Sequence, residues 1–297
     1  MTAIVVDNNQ LNLTNLDKVF WPEAGLTKGD LIKYYIDIYP YIKDFLKDRP
    51  LALKIYPDGI HGESFFRKNI PEHAPDWLST YQIYSSQRRE HKNWVMVNKL
   101  ADLIWVANSA SIELHAWFST INNLNRPSFA VFDLDPGELS SFNDVIQVAF
   151  LIKKILDELD LVGFPKTSGQ SGLHIYLPVR ERYDYQEIKD FLQAVAGTVV
   201  KMAPSLATIE WRKKERAGKV YIDYRQNDRG KTLPVPYSVR PTPEATVSTP
   251  LDWEELSNIP GPEIFTIKNT LQRIEKIGNP WSGILDMQQD LPSFLLR

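Results

Sequence analysis

The run Ser128-Phe129-Ala130-Val131-Phe132-Asp133-Leu134-Asp135-Pro136-Gly137 decides how the rest of the chain is read. It is β-rich from Ser128 to Asp133 and stops at Pro136-Gly137, a strong turn signal. Residues i and i+2 of a strand point to the same side, so Asp133 and Asp135 present both carboxylates to one point while Leu134 faces a core. Two such carboxylates are costly side by side unless a cation neutralises them. A bare Asp-x-Asp before Pro-Gly is equally the pattern of a solvated turn, so a third acid has to tip the balance. Asp223 supplies it, in Val220-Tyr221-Ile222-Asp223-Tyr224. Alternation there sets Tyr221 and Asp223 on one side and Ile222 on the other, and an acid in so apolar a strand is rarely idle. Three carboxylates on neighbouring strands suit two divalent ions, typically ~4 Å apart, that clamp the attacking and leaving oxygens of a phosphoryl transfer. Hard oxygen ligands favour Mg2+ or Mn2+ over zinc.

Downstream of that run, Ser141 with Asp144 at the third position predicts a capped helix to about Asp160. A strand is expected over Leu173 to Val179, a helix over Tyr185 to Met202 and a strand over Lys219 to Tyr224. Strand, helix, strand, helix, strand with acids at the strand ends predicts an α+β core, about residues 126–297, with helices on one face. Leu233 to Pro250 holds five prolines and reads as an extended crossing loop, and Pro262 to Ile277 as a last, surface helix.

Upstream lies an N-terminal lobe of about residues 1–125. Thr27, with Asp30 three residues on, caps a helix whose Leu31, Tyr34, Tyr35, Ile38, Ile42 and Leu46 recur at helical spacing, with Pro40 expected to break or kink it. Leu51 to Ile55 and Ser64 to Arg67 are expected strands around Pro57-Asp58-Gly59. Asn98 to Ala107 follows as a buried helix and Ile112 to Phe118 as a strand carrying His115.

Composition narrows the class. With 43% apolar and 11% aromatic residues, the 297-residue chain has the makeup of a globular protein with a sizeable core. No stretch approaches eighteen uninterrupted apolar residues, and the N-terminus has neither a basic nor an apolar leader region. Zero cysteines exclude disulfides and cysteine-based zinc sites. A cytoplasmic protein without membrane association is expected. Lysine and arginine number 34 against 37 acids, a net charge of −3, which argues against a protein that coats nucleic acid electrostatically. An enzyme acting on nucleic acid remains possible if its basic residues cluster.

Two further segments bear on phosphate. In Lys166-Thr167-Ser168-Gly169-Gln170-Ser171-Gly172-Leu173-His174, Gly169 and Gly172 let backbone N–H groups approach phosphate oxygens, and Ser168 and His174 offer donors. It is not a Walker A loop, since a strand rather than a helix follows. A glycine-containing turn and a core histidine would look the same. In Gln226-Asn227-Asp228-Arg229-Gly230-Lys231-Thr232, Arg229 and Lys231 would neutralise a triphosphate, although the segment alone reads as an exposed polar loop.

In order, Phe-Asp-Leu-Asp-Pro-Gly (132–137), Thr-Ser-Gly-x-x-Gly-Leu-His (167–174) and Val-Tyr-Ile-Asp-Tyr-x-Gln-Asn-x-Arg-Gly-Lys-Thr (220–232) closely resemble the three catalytic signatures of the polymerase domain of bacterial DNA ligase D, a branch of the archaeo-eukaryotic primase superfamily. Leu-Asp-Lys-Val-Phe-Trp-Pro (16–22), Ser-Phe-Phe-Arg-Lys-Asn (64–69) and Val-Ser-Thr-Pro-Leu (247–251) add supporting matches, so the likeness runs from about residue 10 to 290. The resemblance implies a single polymerase/primase domain over 1–297, with a primase-like core of mixed sheets and flanking helices and an N-terminal lobe packed against it. It implies that Asp133, Asp135 and Asp223 hold two Mn2+ or Mg2+ ions. It gives His115, Ser168, Gly169, Gly172, His174, Gln226, Lys231 and Arg240 to an NTP or dNTP. Lys18 and Lys28 resemble the pair that grips a DNA 5′-phosphate, and Phe65 and Phe66 the pair that stacks on template. Lys54, Arg67 and Lys68 are expected as further DNA contacts. Two adjacent phenylalanines in a basic setting suit stacking on bases, worth ~1–3 kcal/mol per base. This chain carries Gln170-Ser171 where many relatives have a lysine.

The implied function is template-directed primer extension that fills gaps at DNA double-strand breaks in non-homologous end joining, with ribonucleotides accepted. Gapped or recessed DNA bearing a 5′-phosphate is the expected partner, alongside a Ku-like end-binding protein and a separate ligase. No Lys-x-Asp-Gly adenylation motif is present, so the sequence reads as a stand-alone polymerase or an excised domain. The alternatives are a de novo primase using the same carboxylates and a DNA-end-bridging module whose polymerase activity is incidental. A metal-dependent nuclease is disfavoured by the glycine loop and the Lys231 segment.

Overall fold

The computed structural model describes residues 2–85 and 89–296. In chain order the elements are β1 (Thr2–Val6), β2 (Asn9–Leu13), β3 (Val19–Trp21), β4 (Leu26–Thr27), α1 (Lys28–Leu46), β5 (Leu51–Ile55), β6 (Phe65–Arg67), β7 (Thr80–Ser85), β8 (Glu90–Val95), α2 (Leu100–Asn108) and β9 (Ser111–Trp117). There follow β10 (Phe129–Asp135), α3 (Phe142–Glu158), β11 (Phe164–Thr167), β12 (Leu173–Pro178), α4 (Tyr185–Met202), β13 (Ala207–Thr208), β14 (Val220–Asp223), β15 (Thr232–Pro234), α5 (Trp253–Leu256) and α6 (Thr270–Ile277). The fold is α+β. The chain forms two compact units, the first made of Met1–Asn122, Thr232–Ser248 and Phe265–Lys276, the second of Asn123–Lys231, Thr249–Ile264 and Ile277–Arg297.

In the first unit, the Thr27 side chain accepts from the Asp30 backbone while Asp30 accepts from the Thr27 N–H at 2.7 Å, which starts α1 where the sequence put it. Leu31, Tyr35, Ile38, Ile42 and Leu46 are all fully buried. The expected break at Pro40 does not occur, and α1 runs through it. A mid-helix proline costs about 3 kcal/mol, whereas each buried Ile or Leu contributes about 1.5–3 kcal/mol. Two of them, Ile38 and Ile42, flank the proline, so packing prevails. The unit's sheet has the order β15-β9-β5-β8-β7, with β6 paired to β5. The β1–β2 hairpin, not anticipated from its weak apolar alternation, turns on Asp7 and Asn8, both at positive φ.

The second unit is built on a five-stranded sheet, β11-β12-β10-β14-β13, antiparallel except between β13 and β14. Ser141 and Asp144 form the reciprocal cap that opens α3. Helices α3 and α4 pack on each other and on this sheet, over the apolar face that carries Phe132, Leu134, Ile175 and Ile222, all fully buried. No helix among the described residues is long and apolar enough to cross a membrane.

One expected helix is corrected. Pro262 to Ile277 contains only a 3-10 turn, Pro262–Ile264, and α6. Between them the chain is extended: Phe265 is buried, its carbonyl accepts from Val247 N–H at 2.8 Å, and Ile267 N–H donates to Ala245 O at 3.1 Å. Pairing with the proline-rich 233–250 segment takes the backbone groups that a helix would have used. The start of that segment enters the sheet as β15, but the rest is not one extended crossing loop: it turns near 242–245 and folds back, Val239 bridging antiparallel to Val247 and Arg240 N–H donating to Thr246 O at 2.8 Å.

Candidate active site

Register builds the acidic cluster. On β10, Asp133 lies opposite Asp223 of β14 on one side and His174 of β12 on the other, and Asp135 lies opposite Tyr221. Cross-strand partners share a face, so His174, Asp133, Asp135, Asp223 and Tyr221 occupy the sheet face opposite the helices. Lys166 of β11, opposite His174, continues the row and is fully buried. His174 Nε2 stands 3.2 Å from Asp133 Oδ1. Asp223 Oδ1 accepts the Arg225 N–H at 2.9 Å.

Like charges crowd here. Burial first, then the carboxylates of Asp133 and Asp223, push Asp135 up to about 7, against the opposing pull of Arg216 and Lys213. Burial and Asp133 also raise Asp223. Burial and the neighbouring Asp223 hold the Tyr221 phenol well above its ordinary range, and the Arg216 guanidinium lies 3.8 Å over the Tyr221 ring. Among the described residues, no three His, Cys, Asp or Glu side chains converge into a cage that could hold an ion. Asp133 is instead drawn to His174 and Asp223 to the Arg225 backbone N–H. The donor set is nonetheless all-oxygen and short of countercharge, which fits a hard divalent cation.

Backbone crowding fixes the loops beside these acids. Ser168 Oγ accepts from Gln170 N–H at 3.1 Å and Gly172 N–H at 3.0 Å, and Ser168 N–H donates to Gly172 O at 2.9 Å, closing the glycine loop on itself. A Cβ on Gly172 would stand 2.2 Å from the Leu134 carbonyl oxygen, so only glycine lets the loop lie on β10 beside Asp135. Gly137 is similarly hemmed in, 2.6 Å from Lys219 O. The Gln226–Lys231 segment, which alone reads as a solvated loop, is anchored through a fully buried Asn227. Its amide accepts from Val131 N–H at 2.9 Å and donates to Val131 O at 2.7 Å, imitating a strand partner. Lys231 Nζ donates to Arg225 O at 2.6 Å.

Four of the proposed site residues in the first unit gather on one face of its sheet. Lys54 of β5 lies opposite Glu113 of β9 and Phe66 of β6, and His115 lies opposite Ala52. The Phe66 ring meets the His115 ring edge-on at 5.5 Å, with Lys54 Nζ 4.5 Å over it. Glu113 Oε2 is 3.2 Å from Arg240 Nε. Phe65 and Phe66 are 43% and 53% exposed, so neither is core. Strand alternation turns them apart, however: Phe65 faces with Ile55 and Arg67, whose guanidinium lies 5.4 Å from its ring. Lys68 is set over Trp94 at 5.7 Å.

Lys18 and Lys28 meet through their backbones, Lys28 N–H donating to Lys18 O at 2.8 Å. Lys18 Nζ pairs with Asp58, while the buried Lys28 Nζ donates to Thr14 O at 2.7 Å and Thr14 Oγ1 at 3.1 Å. Burial and the charge of Lys18 depress Lys28 to about 8. Glu113, Tyr56, Arg216 and the anchoring role of Asn227 escaped the sequence reading, which set Tyr221 beside Asp223 but gave it no part in the site. The only signal for Glu113 was its i,i+2 spacing to His115 in an otherwise apolar strand.

An acid-bearing β10 and β14, a glycine loop resting on β10 and a basic segment pinned by Asn227 are the parts of a primase-polymerase, a nucleotidyltransferase. The chain belongs to that class: the family model "LigD, primase-polymerase domain" matches residues 27–281. It is 36% identical over 284 residues to the bifunctional non-homologous end joining protein LigD of Bacillus subtilis, covering 95% of this chain and 45% of that protein. It is 32% identical over 274 residues to the multifunctional LigD of Mycolicibacterium smegmatis, covering 91% of this chain and 35% of that one. It therefore spans less than half the length of these relatives. The polymerase domain of Mycobacterium tuberculosis ligase D, solved in complex with DNA, superposes with a TM-score of 0.86 at 30% identity, over 94% of this chain and 99% of that domain.

Proposed function

We propose that this chain extends a primer against a DNA template, filling short gaps at double-strand breaks during end joining, as the names of its relatives suggest. The observation that carries the reading is the register of Asp133 with Asp223 and the placing of Asp135 on the same face, where burial and then the two neighbouring carboxylates push Asp135 up to about 7. Asp133, Asp135 and Asp223 would hold two Mn2+ or Mg2+ ions, which when bound lower the pKa of the primer 3′-hydroxyl and offset charge on the transferring phosphoryl group. Ser168, held by its loop, and His174, beside Asp133, would orient nucleotide phosphates. Gln226 and Lys231 sit on the segment that Asn227 pins, so both would be presented without cost in loop ordering. His115 and Arg240 would contact the nucleotide as well.

For DNA, Lys18 and Lys28 would take the 5′-phosphate: an anion beside them would offset both the burial and the Lys18 charge that depress Lys28. Phe66 with Lys54 and Phe65 with Arg67 would meet bases and backbone, supported by Lys68. A few placed cations of this kind suit a net charge of −3 better than a basic stripe would. A Ku-like protein and a separate ligase would complete the repair. The test is extension across a short gap with and without a downstream 5′-phosphate, ribo- and deoxynucleotides compared. Template-matched addition favoured by the 5′-phosphate is expected. Addition that ignores template or needs no primer would favour a different enzyme, the latter a primase.

A further inference from the structure

We infer that Glu113 is the positioning residue that holds His115 and Arg240 ready for the nucleotide, an inference resting on the polymerase reading above. The carboxylate is buried, at 5% exposure, in the middle of β9. A buried anion is costly unless donors and countercharge surround it, and here they come from three parts of the first unit. Tyr56 OH donates to Oε1 at 2.7 Å. His115 Nε2 stands 3.3 Å and Arg240 Nε 3.2 Å from Oε2. One oxygen therefore faces both candidate nucleotide contacts, and the other is tied to the scaffold through Tyr56, itself buried. Burial alone would raise this acid, yet His115, Arg240 and Tyr56 together bring it to about 2, so it stays an anion at any working pH.

The geometry separates Glu113 from a general structural acid. His115 is two residues along the same strand, so the Glu113–His115 contact fixes the imidazole within one face of β9. Arg240 enters from the proline-rich segment, its backbone fixed by the N–H bond to Thr246 O at 2.8 Å. An ionised acceptor in a fixed place limits how far that guanidinium wanders. The His115 ring in turn meets Phe66 edge-on. Glu113 thus links the nucleotide contacts to Phe66, one of the two stacking candidates, although no substrate need touch it.

The test is steady-state extension with nucleotide concentration varied, on wild type, Glu113→Gln, Tyr56→Phe, Arg240→Ala and the Glu113→Gln/Arg240→Ala pair. Glu113→Gln keeps the shape and removes the charge; it is expected to raise KM for nucleotide about tenfold, the worth of one charge-assisted hydrogen bond. Its kcat should change far less, and binding of gapped DNA should be unaltered. Tyr56→Phe should shift KM the same way by a smaller factor, and it leaves the anion buried with two partners if the glutamine variant folds poorly. In the Arg240→Ala background the glutamine change should lose much of its effect, because two residues acting together do not add. An unchanged KM in a folded Glu113→Gln protein, or full additivity with Arg240→Ala, would overturn the inference while leaving the polymerase reading intact. A wild type that neither binds nor adds nucleotide would sink both.

Discussion

Substituting Gly172 by alanine isolates the contribution of loop placement from that of the acids. The new Cβ would stand 2.2 Å from Leu134 O and 3.3 Å from Leu134 C. Cβ atoms essentially never approach closer than 3.0 Å, so going from 2.2 to 3.0 Å demands a retreat of about 0.8 Å by backbone on one side or the other. Neither side yields easily. Gly172 is tied twice to Ser168, and Leu134 is fully buried near the end of β10, between the two acids. Overpacking of this kind costs about 1–3 kcal/mol of stability. The effect on function should be larger, because misplacing a positioning group by about 1 Å can cost ~10²-fold in rate. Extension by Gly172→Ala protein is expected to fall by about that factor while the melting temperature drops only a few degrees. Gly197→Ala is the control: it lies in α4 with nothing within 4 Å of its added Cβ, and should stabilise by up to about 1 kcal/mol with activity intact. Wild-type extension by folded Gly172→Ala protein would refute the argument that the loop must rest on β10.

Three other outcomes are expected. Asp135 keeps its proton to about 7 in the folded chain against an ordinary value of 3.8; folding thus favours the protonated form, so the destabilisation is absent below pH 3.8, grows as pH rises towards 7 and is complete above it. Mn2+ should accordingly raise the melting temperature more at pH 8 than at pH 5 and do little for Asp135→Asn protein; equal rises at both pH values would count against a shared cation site. Preference for a phosphorylated gap should fade as pH rises above about 8, where Lys28 loses its charge, and Lys18→Ala with Lys28→Ala should abolish that preference while sparing binding to unphosphorylated gaps. Phe66→Ala should weaken binding to template by ~1–3 kcal/mol, with Phe65→Ala measured beside it; a null effect for both would remove the stacking role.

Much of this molecule is written locally in its sequence, and where it is not the reason is long-range. Thr27 with Asp30 and Ser141 with Asp144 mark helix starts because a cap is a contact across three residues. Period-two alternation placed Asp133 with Asp135 on one side of their strand, and Tyr221 with Asp223 on one side of theirs, because side-chain direction in a strand needs no partner. What alternation cannot supply is register, and it is register that sets Asp133 opposite Asp223 and His174. The first half of the helix expected over 262–277 failed for the same reason: Phe265 and Ile267 take their backbone partners from residues eighteen and twenty-two positions upstream. Pro40 failed differently, a local cost overruled by the burial of Ile38 and Ile42. Glu113 and Asn227 stayed hidden because a buried polar side chain declares itself only through partners brought together by the fold. The repulsion around Asp135, likewise, depends on burial that no spacing encodes.

The most direct test of the central claim is single-turnover extension with Mn2+ on a one-nucleotide gap, comparing wild type with Asp133→Asn, Asp135→Asn and Asp223→Asn. Each variant removes one negative charge at nearly constant shape. The account predicts template-matched addition by wild type and a loss of at least about a thousandfold in each variant, the scale expected when charge stabilisation of a phosphoryl transfer is removed, with gapped-DNA binding retained. Folded Asp133→Asn or Asp223→Asn protein that still extends the primer at near wild-type rate would contradict it.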